Sequence, residues 1–126
     1  MFLGLRTLIY PVTDLDQARA WYTKVLGIQP YYNEPPYVGY NVGGYELGLF
    51  AAGRPADGPR TYWGVASVES ALEHILNQGA TLDEAIADVG GGIRMASVRD
   101  AEGFVFGIIE NPAFEAAPVS SPGPGR

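Results

Sequence analysis

The chain has 126 residues, 47% of them hydrophobic and 17% charged, a balance that fits one globular domain or two small modules sharing a core. Its net charge is −6, and no basic stripe exists to neutralise phosphates, which disfavours nucleic-acid binding. The absence of cysteine excludes disulfides, thiolate nucleophiles and zinc–sulfur sites.

The opening segment alternates like a strand. It lacks a basic n-region and a cleavage site, so no signal peptide is expected. No apolar run approaches the roughly 18 residues that would span a bilayer. A cytoplasmic protein is the expectation.

Alternation predicts a first strand over Leu5–Val12. A helix follows over Thr13–Gly27: Asp14 and Gln17 form a capping-box pattern, Gly27 is placed to end it, and Leu15, Ala18, Tyr22, Val25 and Leu26 make one apolar face. Three strand-like pieces come next: "IQPYYN", "YVGYNVG" and "YELGLF". The run "AAGRPADGP" (Ala51–Pro59) has linker composition. The order then repeats. A strand over Arg60–Ala66 precedes a helix over Ser67–Ala80, with Ser67 as cap and Val68, Ala71, Leu72, Ile75 and Leu76 as its stripe. "TLDEAIAD", "IRMASVRD" and "FVFGIIE" close the series. "VGG" and "DAEG" read as hairpin turns.

The chain is therefore expected to be an α+β duplication of a βαβββ unit. Module one spans about residues 3–50, the linker 51–59 and module two 60–112, within one domain of residues 1–112. The Pro-, Gly- and Ser-rich segment 113–126 reads as a disordered tail. Gly44 and Gly48 of "GYELGL" match Gly103 and Gly107 of "GFVFGI" in the two copies. Glycine weakens a strand interior, so two at equivalent places ask for a reason.

This arrangement resembles the vicinal oxygen chelate superfamily, which includes glyoxalases, bleomycin-resistance proteins, fosfomycin-resistance enzymes and extradiol dioxygenases. The resemblance rests on "VTDLDQARAWYTKVLGI", "TYWGVASVESALEHILNQGA" and "DAEGFVFGIIENP" and runs from about Leu3 to Pro112. It implies curved mixed sheets around a cleft, helices on the outer face, and a bound small molecule. It also implies metal ligands at one position on each of four strands. Those positions fall here on Thr7, Gly48, Arg60 and Gly107. A hydroxyl, two hydrogens and a guanidinium cannot replace imidazole and carboxylate. No metal or other cofactor is therefore expected, and the two glycines read as vacated ligand sites that leave open volume in the cleft.

Alternation adds further site residues. Glu46 shares the cleft face with Gly48, while Leu47 and Leu49 turn to the helix. Its carboxylate is a candidate general base or partner for a cationic group. Arg60 and Tyr62 share a face, with Trp63 opposite in the core. Arg60 is a candidate clamp for an anion or partner of Glu46. Asn41 and Thr7 complete the polar set. "PYYNEPPYVGY" reads as a rigid aromatic rim, and "VGGGI" (Val89–Ile93) as a flexible loop over the cleft. His74, the lone histidine, falls on a helix surface. No nucleophile motif appears.

Glu46, Arg60 and Tyr62 are thus candidate catalytic groups. Thr7, Asn41, Glu46, Gly48, Arg60, Tyr62 and Gly107 are candidate ligand-binding positions. The expected function is metal-independent binding of a small organic molecule, with no nucleic-acid or membrane partner, and the resemblance implies a homodimer. A metal-free isomerase, lyase or cyclase is the alternative, and a metal-dependent glyoxalase or dioxygenase a more distant one.

Overall fold

A computed structural model of the chain describes residues 1–114; the segment read as a tail lies, from residue 115 onward, outside the described residues. The elements run β1 (Phe2–Pro11), α1 (Leu15–Leu26), β2 (Tyr32–Glu34), β3 (Tyr37–Val42), β4 (Tyr45–Phe50), β5 (Arg60–Val65), α2 (Val68–Asn77), β6 (Thr81–Gly90), β7 (Ile93–Arg99) and β8 (Val105–Glu110). The duplicated βαβββ order is as the sequence predicts.

The eight strands form one continuous curved sheet in the order β2-β3-β4-β1-β5-β8-β7-β6. Each module pairs its first and last strands in parallel, β1 with β4 and β5 with β8. The two modules join where β1 lies antiparallel to β5, with Thr7 opposite Tyr62 and Ile9 opposite Arg60. The sheet is thus close to two-fold symmetric about the β1–β5 seam.

Both helices form for the reasons visible in the sequence. The Asp14 carboxylate accepts a hydrogen bond from the Gln17 N–H at 3.0 Å, and Gly27 ends α1 in the left-handed conformation at φ 71°. The Ser67 hydroxyl caps α2 by accepting from the Ser70 N–H at 3.2 Å. Beneath α1, Leu15, Ala18, Tyr22 and Leu26 pack on Val38, Tyr40 and Leu49. Val25, expected on that stripe, instead remains 56% exposed. Beneath α2, Val68 and Ala71 pack with Val65, Ala96 and Ile108. The Tyr40 hydroxyl donates to the Arg19 carbonyl at 3.0 Å and shares a 2.8 Å hydrogen bond with Thr23, tying β3 to α1.

Three local expectations change. "IQPYYN" yields only the three-residue edge strand β2. The linker contains a short 3₁₀ turn at Pro55–Asp57. "VGGGI" is no loose loop: β6 continues through Gly90, and Gly91 and Gly92 turn it directly into β7 at φ 64° and 77°. Consecutive residues at positive φ favour glycine, which accounts for the glycine run.

Candidate functional site

With both helices on one face, the other face of the sheet is free to line a cleft. It holds two neighbouring cavities, which meet at Ile9 and Phe50. The larger has a volume of about 930 Å³ and the smaller about 370 Å³. The larger lies within the range for a small-molecule site of about 300–1,000 Å³.

Thr7, Asn41 and Glu46 border the larger cavity together with Tyr31 and Tyr37. Thr7 is 8% exposed and sits opposite Glu46 on β4. The phenol hydroxyls of Tyr31 and Tyr37 each donate to one oxygen of the Glu46 carboxylate. Burial, reinforced by that carboxylate, pushes both phenols well above the usual tyrosine range. They are firm donors at neutral pH. The carboxylate keeps further lone pairs for a ligand, since two oxygens can accept about four hydrogen bonds. The Asn41 carboxamide oxygen accepts from the Gly44 N–H at 2.9 Å, so this side chain also fixes the β3–β4 turn.

Arg60 and Tyr62 border the smaller cavity instead. Arg60 does not pair with Glu46. Its guanidinium donates to Asp83 and Glu84, each at 2.8 Å, and to the Ser97 hydroxyl at 3.2 Å. Ser97 in turn donates to Asp83 at 2.8 Å, and Arg99 reaches the other Asp83 oxygen at 3.1 Å. Burial opposes the charge on Asp83. The Ser97 hydroxyl and the two arginines outweigh it and hold the carboxyl below the ordinary range. Burial raises the Tyr62 phenol, against the pull of Arg60.

The paired glycines leave no open volume. A Cβ at Gly48 would lie 2.0 Å from the Tyr37 hydroxyl, and one at Gly107 would lie 2.4 Å from the Tyr62 ring. Each glycine is the floor on which a tyrosine ring rests. Tyr37 reaches Gly48 from β3, whereas Tyr62 reaches Gly107 from β5. The positions are equivalent in the duplication, but the covering rings are not.

The four positions at which the resemblance implies metal ligands do not fit a metal. Thr7 and Arg60 supply no imidazole or carboxylate, and tyrosine rings cover the two glycines. Among the described residues no group of three or more His, Cys, Asp or Glu side chains converges as a metal site would. His74 is exposed on α2.

Sequence reasoning missed Arg6, Asp83, Glu84 and Arg99. Counting alternation along β1 places Arg6 with Leu8 on the helix side. A bulge between Leu5 and Thr7 breaks that count and brings Arg6 to the larger cavity. The acidic residues of β6 carried no motif to single them out.

A βαβββ pair in a single sheet, with a ligand-sized cleft opposite two helices, defines a fold class rather than one activity. The sequence matches the model of the Glyoxalase/Bleomycin resistance protein/Dioxygenase superfamily over residues 4–108, and the chain belongs to that superfamily. No curated protein is similar enough in sequence to match.

Among solved structures, it is similar to a variant of Streptomyces coelicolor methylmalonyl-CoA epimerase in complex with 2-nitronate-propionyl-CoA. The TM-score is 0.74 and the identity 15%, over 90% of this chain and 100% of that one. It is also similar to a glyoxalase/bleomycin resistance protein/dioxygenase superfamily member from Vibrio splendidus, with TM-score 0.67 and 20% identity over 84% and 97% of the two chains. A structure described as an NAD-dependent benzaldehyde dehydrogenase from Legionella pneumophila has TM-score 0.65 and 16% identity, over 83% and 97%. These likenesses concern the fold; their named activities differ.

Proposed function

We propose that this chain is a metal-independent small-molecule-binding protein that sequesters an organic ligand in its aromatic-lined cleft. One observation carries the reading. Where a metal-dependent relative needs donors, this sequence has a hydroxyl, a guanidinium engaged with carboxylates, and two glycines covered by tyrosine rings. The cleft beside them is large and bordered by tyrosines, Ile9, Met95 and Ile109. Apolar walls with a few placed polar groups suit binding more than Lewis-acid chemistry. The protein acts in the cytoplasm as a homodimer in this reading. The exposed apolar residues Trp21, Val25 and Ile28 around α1 offer a surface for the second copy.

A metal-free enzyme is the second reading. Glu46, seated between two phenols, favours it, since such a carboxylate can take a proton from a bound carbon or hydroxyl acid. One experiment separates the two. Protein purified without chelator is analysed for metal, then screened against an organic library, and each bound compound is recovered. Sequestration predicts no stoichiometric metal and compounds returned unchanged. Converted compounds favour the enzyme, and a stoichiometric metal sinks both readings.

A further inference from the structure

Among the described residues, Arg6 is the one cationic side chain bordering the larger cavity, as Glu46 is the one anionic. Three features of the fold put it there. First, the bulge between Leu5 and Thr7 makes Arg6 the extra residue of β1, freed from the alternation that would turn it toward α1. Second, Gly4 and Gly64 face each other across the β1–β5 seam, and the Arg6 side chain lies in the trough they leave. A Cβ at Gly64 would stand 2.7 Å from its Nε, and one at Gly4 would stand 3.3 Å from its Nη1. Third, its guanidinium carbon sits 3.8 Å from the centre of the Phe114 ring.

The guanidinium also lacks what the other arginines have. Among the described residues, Arg19, Arg54, Arg60, Arg94 and Arg99 each form an ion pair with a carboxylate, and Arg6 forms none. The carboxylate of the same cavity is taken up by Tyr31 and Tyr37 instead. A half-buried guanidinium held by glycines and an aromatic ring, its N–H groups unclaimed by any acid among the described residues, is arranged to meet an anion from outside.

We infer that the larger cavity takes an amphiphilic organic carboxylate, its acid group on Arg6 and its apolar or aromatic body along the tyrosine-lined wall. This rests on the sequestration reading above and names its ligand class. A flat carboxylate matches the two parallel N–H bonds that a guanidinium offers. Glu46, the carboxylate on the same cavity wall, would repel a second acid group, so the class is monoanionic, and a hydroxyl or amine beside it would be welcome.

The test uses the full chain and matched sets of probes on phenyl, naphthyl and biphenyl bodies. Each body carries a carboxylate, a primary carboxamide or an aminomethyl group. Binding is measured by calorimetry at low and high salt. Wild type should bind the carboxylate of at least one body about tenfold or more tighter than its carboxamide twin. Arg6→Met should erase that preference while leaving carboxamide affinity within about threefold. Arg6→Lys, which keeps the charge and most of the stem, should retain part of it and serves if the Met variant does not fold.

Carboxamides or amines that bind as well as the carboxylates overturn the inference and leave the sequestration reading standing. So does a carboxylate preference that survives in Arg6→Met. A panel in which no member binds overturns both.

Discussion

The hydroxyl of Tyr37 occupies the space that a side chain at Gly48 would need. An ideal Cβ there would lie 2.0 Å from that oxygen and 2.6 Å from the carbon that bears it. The same oxygen donates to Glu46, two residues along β4. Glycine at 48 is therefore a condition for the phenol–carboxylate contact, and its presence in a strand has a packing reason.

Replacing the two glycines should have unequal effects. In Gly48→Ala the obstruction is a tyrosine tip, which can swing aside; the fold survives at a cost of about 1–3 kcal/mol and the contact with Glu46 is lost. In Gly107→Ala the obstruction includes the Thr61 carbonyl oxygen at 2.6 Å as well as the Tyr62 ring. Backbone cannot swing aside, so this variant should be the less stable of the two. Urea denaturation of both ranks them, and equal, near-neutral values would contradict the packing.

The phenols predict an alkaline signature. Tyr31 and Tyr37 are held above the ordinary range by burial and by Glu46. A group that keeps its proton more tightly when folded stabilises the protein below about pH 10, where an unfolded phenol titrates. That contribution is lost as pH rises toward the folded value. The native protein should thus show a delayed fraction of tyrosinate absorbance. Tyr37→Phe should reduce that fraction and weaken the alkaline loss of stability.

Asp83 predicts the acid side. Its folded carboxyl titrates below the ordinary value, so its stabilisation is complete above about pH 4 and fades as pH falls through the lowered range. Asp83→Asn should be less stable than wild type at pH 7, and the two should converge toward pH 2. Thermal melts across that range measure the gap. A gap constant with pH would show that Asp83 contributes only through neutral hydrogen bonding.

Glu110 should prove structural. One of its oxygens accepts from the Val68 N–H, at the first residue of α2, at 2.9 Å and from Arg94 at 3.0 Å. Glu110→Ala leaves the arginine with Glu69 alone and the helix N–H without its acceptor, at a cost of about 1–3 kcal/mol. Glu110→Gln keeps an acceptor for Val68 and should recover part of that loss. Denaturant unfolding of both variants provides the comparison.

How much of this was legible in the chain follows from the range of the forces involved. Helix caps at Asp14 and Ser67, the stop at Gly27 and the repeat of "GYELGL" in "GFVFGI" are local patterns. Capping, left-handed turns and strand alternation act over a few residues, so the duplicated βαβββ order could be read directly. So could the absence of metal donors at Thr7, Gly48, Arg60 and Gly107, because residue type alone decides that chemistry. Partners distant in sequence were beyond reach. Nothing local tells Arg60 that Asp83 will stand 2.8 Å away, or Gly48 that Tyr37 will cover it. Arg6 shows the limit most clearly: one bulged residue in β1 reverses the face that alternation assigns, and with it turns a half-exposed strand arginine into a cationic group of the larger cavity.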